Sequence, residues 1–247
     1  MTDARRAEIG VAANRVAAVI DDAFNWLDRL AERLRGLHEE ARTRHRALRA
    51  DELTALRESI FGRLREHPRL IAGTGVILAE DMLADRTHWL EWWQNQPDGQ
   101  PTFLEVDHNP ASVDYYDYAA AAWFALPRRT GKRVVVGPYV DYSGTDEYML
   151  TLANPAYSGE HFLGVAATDI RADEFESLLL GALGGAGPPA ALVNATGRVV
   201  ASNTPQKIAG SLVAERELDR DWPEFTVGAP ATGECAGLPW RVSVLRG

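Results

Sequence analysis

From Val16 to Leu37 apolar side chains recur at steps of three and four: Val16, Ile20, Phe24 (with Ala23), Leu27, Leu30, Leu34 and Leu37. That spacing lays one apolar stripe along a helix, with Arg and Glu on the opposite face, so the helix needs a surface to lie against. A basic, weakly apolar stretch from Ala41 to Ala50 interrupts the stripe. Asp51 then reads as an N-cap, and Leu53, Leu56, Ile60 and Leu64 resume the period until Pro68 closes it. The stripe either packs only on the chain's own sheet or doubles as a dimerisation surface, and both stay open here.

Beyond Leu70 the pattern becomes strand-like. Ile71 to Leu78 is a short apolar run containing Gly73 and Gly75, and two aromatic-rich runs then flank Pro97-Asp98-Gly99-Gln100, a hairpin signal. Residues 111–126 read as a helix or helical loop. Strands are expected over 133–142, 148–153 and 161–169, with turns at Ser143 to Asp146 and from Asn154-Pro155 to Ser158-Gly159. A helix starts near Asp173, and the glycine-rich 181–189 is a linker. It follows a helix, lacks Lys-Ser/Thr and is not GxGxxG, so a phosphate loop is disfavoured. A hairpin around Ala195-Thr196-Gly197 and strands near 225–227 and 238–245 complete an α+β chain with antiparallel strands. The expected domains are a helical segment 1–66, a central module 67–182 and a short second module 183–247.

Composition removes several function classes. The 247 residues are 46% hydrophobic and 25% charged, as in ordinary globular chains, and their net charge of −9 argues against a nucleic-acid-coating surface. The one cysteine, Cys235, permits no intrachain disulfide and no Cys-based zinc site, and it reads as buried inert sulfur. The six histidines are scattered, without an HExxH pair, and no GxSxG or Ser-x-x-Lys nucleophile stands in a convincing context. No cofactor-binding or metal motif is visible, and an enzyme lacks positive support. Neither a signal peptide nor a membrane-spanning run is seen, so a cytoplasmic protein is the expectation, although an excised ectodomain would read the same way.

Between Asp114 and Asp169 aromatic and acidic residues interleave at a density the rest of the chain lacks, and Trp89, Trp92 and Trp93 lie upstream. Aromatic faces attract ammonium groups by about 0.5–2 kcal/mol each, and a carboxylate aimed at the same nitrogen adds a charge-assisted hydrogen bond. Such a set describes a pocket for a small organic cation. For any single ring, packing in the core is the simpler explanation.

Tyr116, Trp123 and Phe124, then Gly137-Pro138-Tyr139-Val140-Asp141, then Gly164 to Ile170 (GVAATDI) together resemble the Cache (PDC-type) sensor domains of bacterial chemoreceptors and sensor kinases. The later ALVNATGRVVASN hairpin and the closing LPWRVSVLRG resemble the second module of double-Cache members, here much shortened. The resemblance implies a long N-terminal helix, an antiparallel PAS-like sheet enclosing a ligand pocket, and a short second PAS-like module. It implies a sensor signalling through an unknown downstream partner, and the length of the N-terminal helix adds the expectation of a homodimer formed through it.

In amino-acid-sensing members an Arg clamps the ligand carboxylate, while a Tyr-x-Asp and a later Asp hold its ammonium group. Here the Arg position is Ala121, whereas Tyr139, Asp141 and Asp169 keep the ammonium half. Alanine cannot form a bidentate pair. The expected ligand is a small cationic amine or an amino-acid-like compound. Asp141 and Asp169 would bind its nitrogen, and Tyr116, Trp123, Phe124 and Tyr139 would wall the cation. Tyr142 and Asp146 would stand near the mouth. Trp93 is a further candidate, because strand alternation turns only one of Trp92 and Trp93 towards the pocket. Arg128 or Arg129 remains open as a substitute clamp. The competing classes are an enzyme using Asp141 or Asp169 as general base on a small amine, and an interaction module whose rings only pack.

Overall fold

A computed structural model describes residues 3–96, 99–109, 111–140, 148–183, 187–219, 221–222, 224–228 and 235–246. Helix α1 is Asp3–Thr43, a 3-10 turn covers Ala50–Leu56, and α2 is Arg57–Glu66. Strands β1 (Ile71–Leu78), β2 (Leu90–Asn95) and β3 (Pro101–Phe103) follow, then a 3-10 turn at Tyr118–Ala120 and helix α3 (Ala122–Thr130). Next come β4 (Arg133–Val140), β5 (Tyr148–Ser158), β6 (His161–Arg171) and α4 (Ala172–Leu183). The C-terminal part holds β7 (Ala190–Val193), β8 (Val199–Ser202), β9 (Phe225–Val227), β10 (Cys235–Ala236) and β11 (Trp240–Val244). Seven strands form one sheet in the order β10-β4-β5-β6-β1-β2-β3, and four form another in the order β8-β7-β11-β9. The α+β architecture with a long N-terminal helix and two sheets is therefore present.

Two compact units are not sequential: one gathers residues 1–22, 135–150 and 170–247, the other residues 23–134 and 151–169. In the second of these, β1 is the spine, and every one of its residues from Ile71 to Leu78 is buried. That is why its sequence shows a continuous apolar run rather than alternation. Glycine lets its neighbours close in. A Cβ on Gly75 would sit 2.0 Å from the Glu91 carbonyl oxygen, and one on Gly164 of β6 2.1 Å from that of Ile77. The two buried threonines there turn their hydroxyls to backbone carbonyls, Thr74 to Ala167 at 2.8 Å and Thr168 to Gly73 at 3.2 Å, so neither is left unsatisfied.

The antiparallel register of β1 with β2 sets Gly75 opposite Trp92 and Thr74 opposite Trp93, so the two indoles lie on opposite faces. On the Trp93 face, Glu91 has no exposed side-chain surface and takes the Arg57 guanidinium of α2 at 2.7 Å. The Trp93 indole donates to the same carboxylate at 2.9 Å, and that of Trp89 at 3.4 Å. Phe61 of α2 meets the Trp93 ring edge-on at 4.6 Å, and Arg57 stacks over it at 5.0 Å. Helix α1 is fixed to the same unit by Asp28, which takes Arg133 at 3.1 Å and the Asn154 side-chain amide.

In the other unit, β11 pairs with β7 and β9, and Trp240, 1% exposed, packs edge-on against Phe175 of α4 at 5.8 Å. Asn194 closes the β7–β8 turn by accepting from the backbone N–H groups of Thr196 and Arg198, both at 2.9 Å.

Several local expectations are corrected. Asp51 lies inside the 3-10 turn, and Arg49 flanks its start, where the Glu52 carboxylate takes the Arg49 N–H at 3.0 Å and is itself held by Arg46. Asn154-Pro155 continues β5 because Asp28 holds the Asn154 side chain, and the reversal comes at Gly159-Glu160. Of the helix or helical loop expected over 111–126, the α-helix itself starts only at Ala122 and runs on to Thr130, and turns and the 3-10 segment precede it.

Replacing Arg57 by Met is expected to lower the unfolding free energy by about 3 kcal/mol in urea titrations, because Glu91 then stays buried without its cation. Pairing Arg57→Met with Glu91→Gln should restore most of that loss.

Candidate functional site

The segment between β3 and α3 carries the first expected ring. Its shape comes from side chains binding their own backbone: the Asp107 carboxylate takes the Asn109 N–H at 2.8 Å, and Asn109 takes that of Ala111 at 3.1 Å. A hydrogen bond from Ser112, then that from Asn109, holds the Asp107 carboxyl below its ordinary range. Tyr116 is half-buried, and its N–H donates to the Asp107 carbonyl at 2.9 Å.

Tyr118 is the hub next to it. It is 2% exposed, its hydroxyl donates to the Leu78 carbonyl at 3.0 Å, and burial pushes its pKa up to about 12. Phe124 meets it edge-on at 5.2 Å, and Phe162 of β6 meets Phe124 at 5.4 Å. Trp123 stands perpendicular to Phe124 at 6.2 Å and is half-buried. Trp123 and Phe124 are thus brought together with Tyr118 and Phe162. Phe124, only 1% exposed, offers almost no free surface.

Asp169 lies near the end of β6, half-buried, and its Oδ1 accepts the Thr151 hydroxyl of β5 at 2.6 Å. A carboxylate so held keeps a fixed direction for a charge-assisted bond. Tyr139, on β4, is half-buried and belongs to the other compact unit. Asp141, Tyr142 and Asp146 lie outside the described residues. Trp93 faces α2 through Arg57 and Phe61, whereas on the opposite face of β2 the Trp92 indole covers Gly73, its Nε1 only 2.7 Å from where a Cβ would be.

Ala121 is the N-cap of α3 and supplies no side-chain hydrogen bond. Arg128 and Arg129, raised as substitute clamps, are exposed in the last turn of that helix, about 10 Å along its axis from Ala121. The Arg128 carbonyl takes the Tyr157 hydroxyl at 3.1 Å.

Sequence spacing missed Tyr118 as the organising ring, Thr151 as the partner of Asp169, and a pair of histidines. His88 and His108, far apart in the chain, stack at 6.0 Å with 14° between their planes, and both meet Tyr118 edge-on. Only the Asp114–Asp169 aromatic density hinted at Tyr118. Nothing in a single sequence pairs those imidazoles. Among the described residues no group of His, Cys, Asp and Glu gathers that could hold a metal ion, and no helix is long and apolar enough to cross a membrane.

Residues 76–177 match the family described as methyl-accepting chemotaxis protein-like, first PDC sensor domain. Solved structures share the fold over nearly the whole chain. The extracellular domain of the putative histidine kinase soHK1S-Z6 is 15% identical with a TM-score of 0.66, covering 97% of this chain and 91% of that one. The ligand-binding domain of the Pseudomonas aeruginosa PAO1 amino acid chemoreceptor PctC, in complex with GABA, is 20% identical with a TM-score of 0.60, covering 96% of each chain. That of the Campylobacter jejuni chemoreceptor Tlp3, in complex with L-valine, is 12% identical with a TM-score of 0.65, covering 98% and 91%. No curated protein matches the chain.

The contrast between the two neighbouring rings is measurable. Phe124→Ala should cost about 3–4 kcal/mol in thermal or chemical unfolding. Trp123→Ala, at a half-buried position, should cost about 1 kcal/mol.

Proposed function

We propose that this PDC-type fold is the ligand-binding module of a sensor, and that it takes a small molecule through a positively charged nitrogen. Asp169 and Asp141 bind that nitrogen. Tyr116, Trp123 and Tyr139 wall it with Phe124 packed behind Trp123, Tyr142 and Asp146 stand at the mouth, and Trp93 braces β2 from behind. The occupied module signals through a partner protein, and two copies associate along α1.

The observation that supports this most is the sensor-family match, which spans Tyr116, Trp123, Phe124, Tyr139, Asp141 and Asp169 together. Asp169 adds to it, being a half-buried carboxylate oriented by Thr151. GABA and L-valine, held by two structures of this fold, each carry both an ammonium group and a carboxylate. At Ala121 this chain has no guanidinium for the second of these, and Arg128 and Arg129 sit at the far end of α3. Loss of a bidentate pair removes affinity for the carboxylate and leaves the ammonium contacts untouched. The preferred ligand is therefore an amine or quaternary ammonium compound without a clamped α-carboxylate.

Isothermal titration of the purified chain against choline, putrescine, histamine, GABA and L-valine tests this. Binding of at least one amine more tightly than L-valine is expected. Asp169→Ala should weaken that binding about 30-fold, roughly 2 kcal/mol, while the melting temperature stays near wild type. Tight L-valine binding with no response to any amine would overturn the ligand class. Unchanged amine binding in Asp169→Ala would overturn the site.

A further inference from the structure

We propose that His88 and His108 form an acid-sensitive clasp that keeps residues 104–109 and 111–117, with Tyr116, closed over Tyr118 while His108 is neutral. His88 comes from the connection between β1 and β2, and His108 from the connection after β3, so their stacking joins two loops that share no strand. Each ring also meets Tyr118 edge-on, at 5.9 Å for His88 and 6.4 Å for His108. Tyr118 cannot retreat, because its hydroxyl is bonded to the Leu78 carbonyl at 3.0 Å on the fully buried spine strand.

Protonation of His108 is disfavoured on two grounds, its burial and the imidazole that faces it. His108 Nδ1 is buried and has no hydrogen-bond partner among the described residues, so a proton there would point at no acceptor. Burial lowers the His108 pKa most, and the facing His88 lowers it further. The charged and titratable neighbours do not reverse this. Asp107 on the same segment favours the proton, but its carboxylate is turned into its own turn by Asn109 and Ser112. Tyr115 and Glu80 act on Tyr118, which burial keeps neutral.

The sign follows from linkage. A base whose closed-state pKa lies below its open-state value gives its full contribution to closure above the ordinary histidine range. That contribution falls away as the pH drops through the ordinary value towards the depressed one. Acid therefore opens the segment, and Tyr116 moves with it, since Tyr116 is bonded to Asp107 one residue before the clasp.

Hydrogen exchange read by mass spectrometry on the ligand-free chain tests this at about pH 7.5 and about pH 5.5, after correction for intrinsic rates. Amides of 104–118 are expected to open at least about threefold more readily in acid, while those of β1 are unchanged. His88→Gln and His108→Gln should each flatten that response. A response equal in wild type and both variants, or one spread evenly over the chain, would overturn the clasp. Proton NMR of the wild-type imidazoles needs no variant: one resonance titrating below the ordinary histidine range is expected, and none doing so would equally overturn it. No ligand enters either measurement, so failure of the amine titrations leaves this result standing, and the reverse holds.

Discussion

A carboxylate with no exposed surface dictates how the second unit can be assembled. Glu91 sits on β2, the strand after the buried spine, and it survives there only because a guanidinium and two indoles reach it at once. Those donors come from different places: Arg57 from α2, Trp93 and Trp89 from either side of Glu91 itself. The arrangement admits one face of β2 to α2 and one only. A slip of a single residue would swing Glu91 and Trp93 to the far side and strand the charge, so the register of β1 with β2 is fixed electrostatically as well as by packing.

That fixed register decides what the opposite face can be. With Glu91 and Trp93 committed to α2, Trp92 covers Gly73 on the other side, and the spine can only be approached closely because Gly75 and Gly164 carry no side chain. Threonine hydroxyls bonded to carbonyls complete a floor with no strained or unpaired polar group among those named. Against this rigid floor the connecting segments differ in kind. They are built from turns that bond to themselves, and they meet the sheet mainly through rings, notably Tyr118 and Phe124. Local opening of such segments costs far less than opening a strand.

The periodic parts of this architecture were legible in the residues. The helical stripe from Val16 to Leu37, the change of period near Pro68, the run at 71–78 and the strands read at 133–142 and 161–169, which overlap β4 and β6, all follow from spacing, because burial on one face or both leaves a repeat in the sequence. What escaped depends on contacts between distant residues. Asn154-Pro155 looks like a turn until Asp28 of α1 takes the amide and the strand runs through. Which of Trp92 and Trp93 faces α2 was not readable, because alternation says only that the two diverge. Glu91, which settles it, reads as one acid among many. At the candidate site the rings of 116–124 were visible as density, but Thr151 beside Asp169 and His88 against His108 lie in stretches with no local signal of pairing.

On the proposed reading, ligand and proton act on one equilibrium from opposite sides of the same segment. Asp169 stands on β6, next to the spine, and Tyr116 stands on the segment that the imidazoles clasp. A ligand that touches both bridges the rigid floor and the movable cover, so its binding energy differs between the closed and open forms. Only that difference can drive a change of state. Protons bind the open form more readily, so acid must weaken the ligand by the same factor by which the ligand opposes protonation. A module of this construction reports the nitrogen compound most sensitively near neutrality. Its apparent affinity in acid is the affinity of the ligand contacts reduced by that coupling factor.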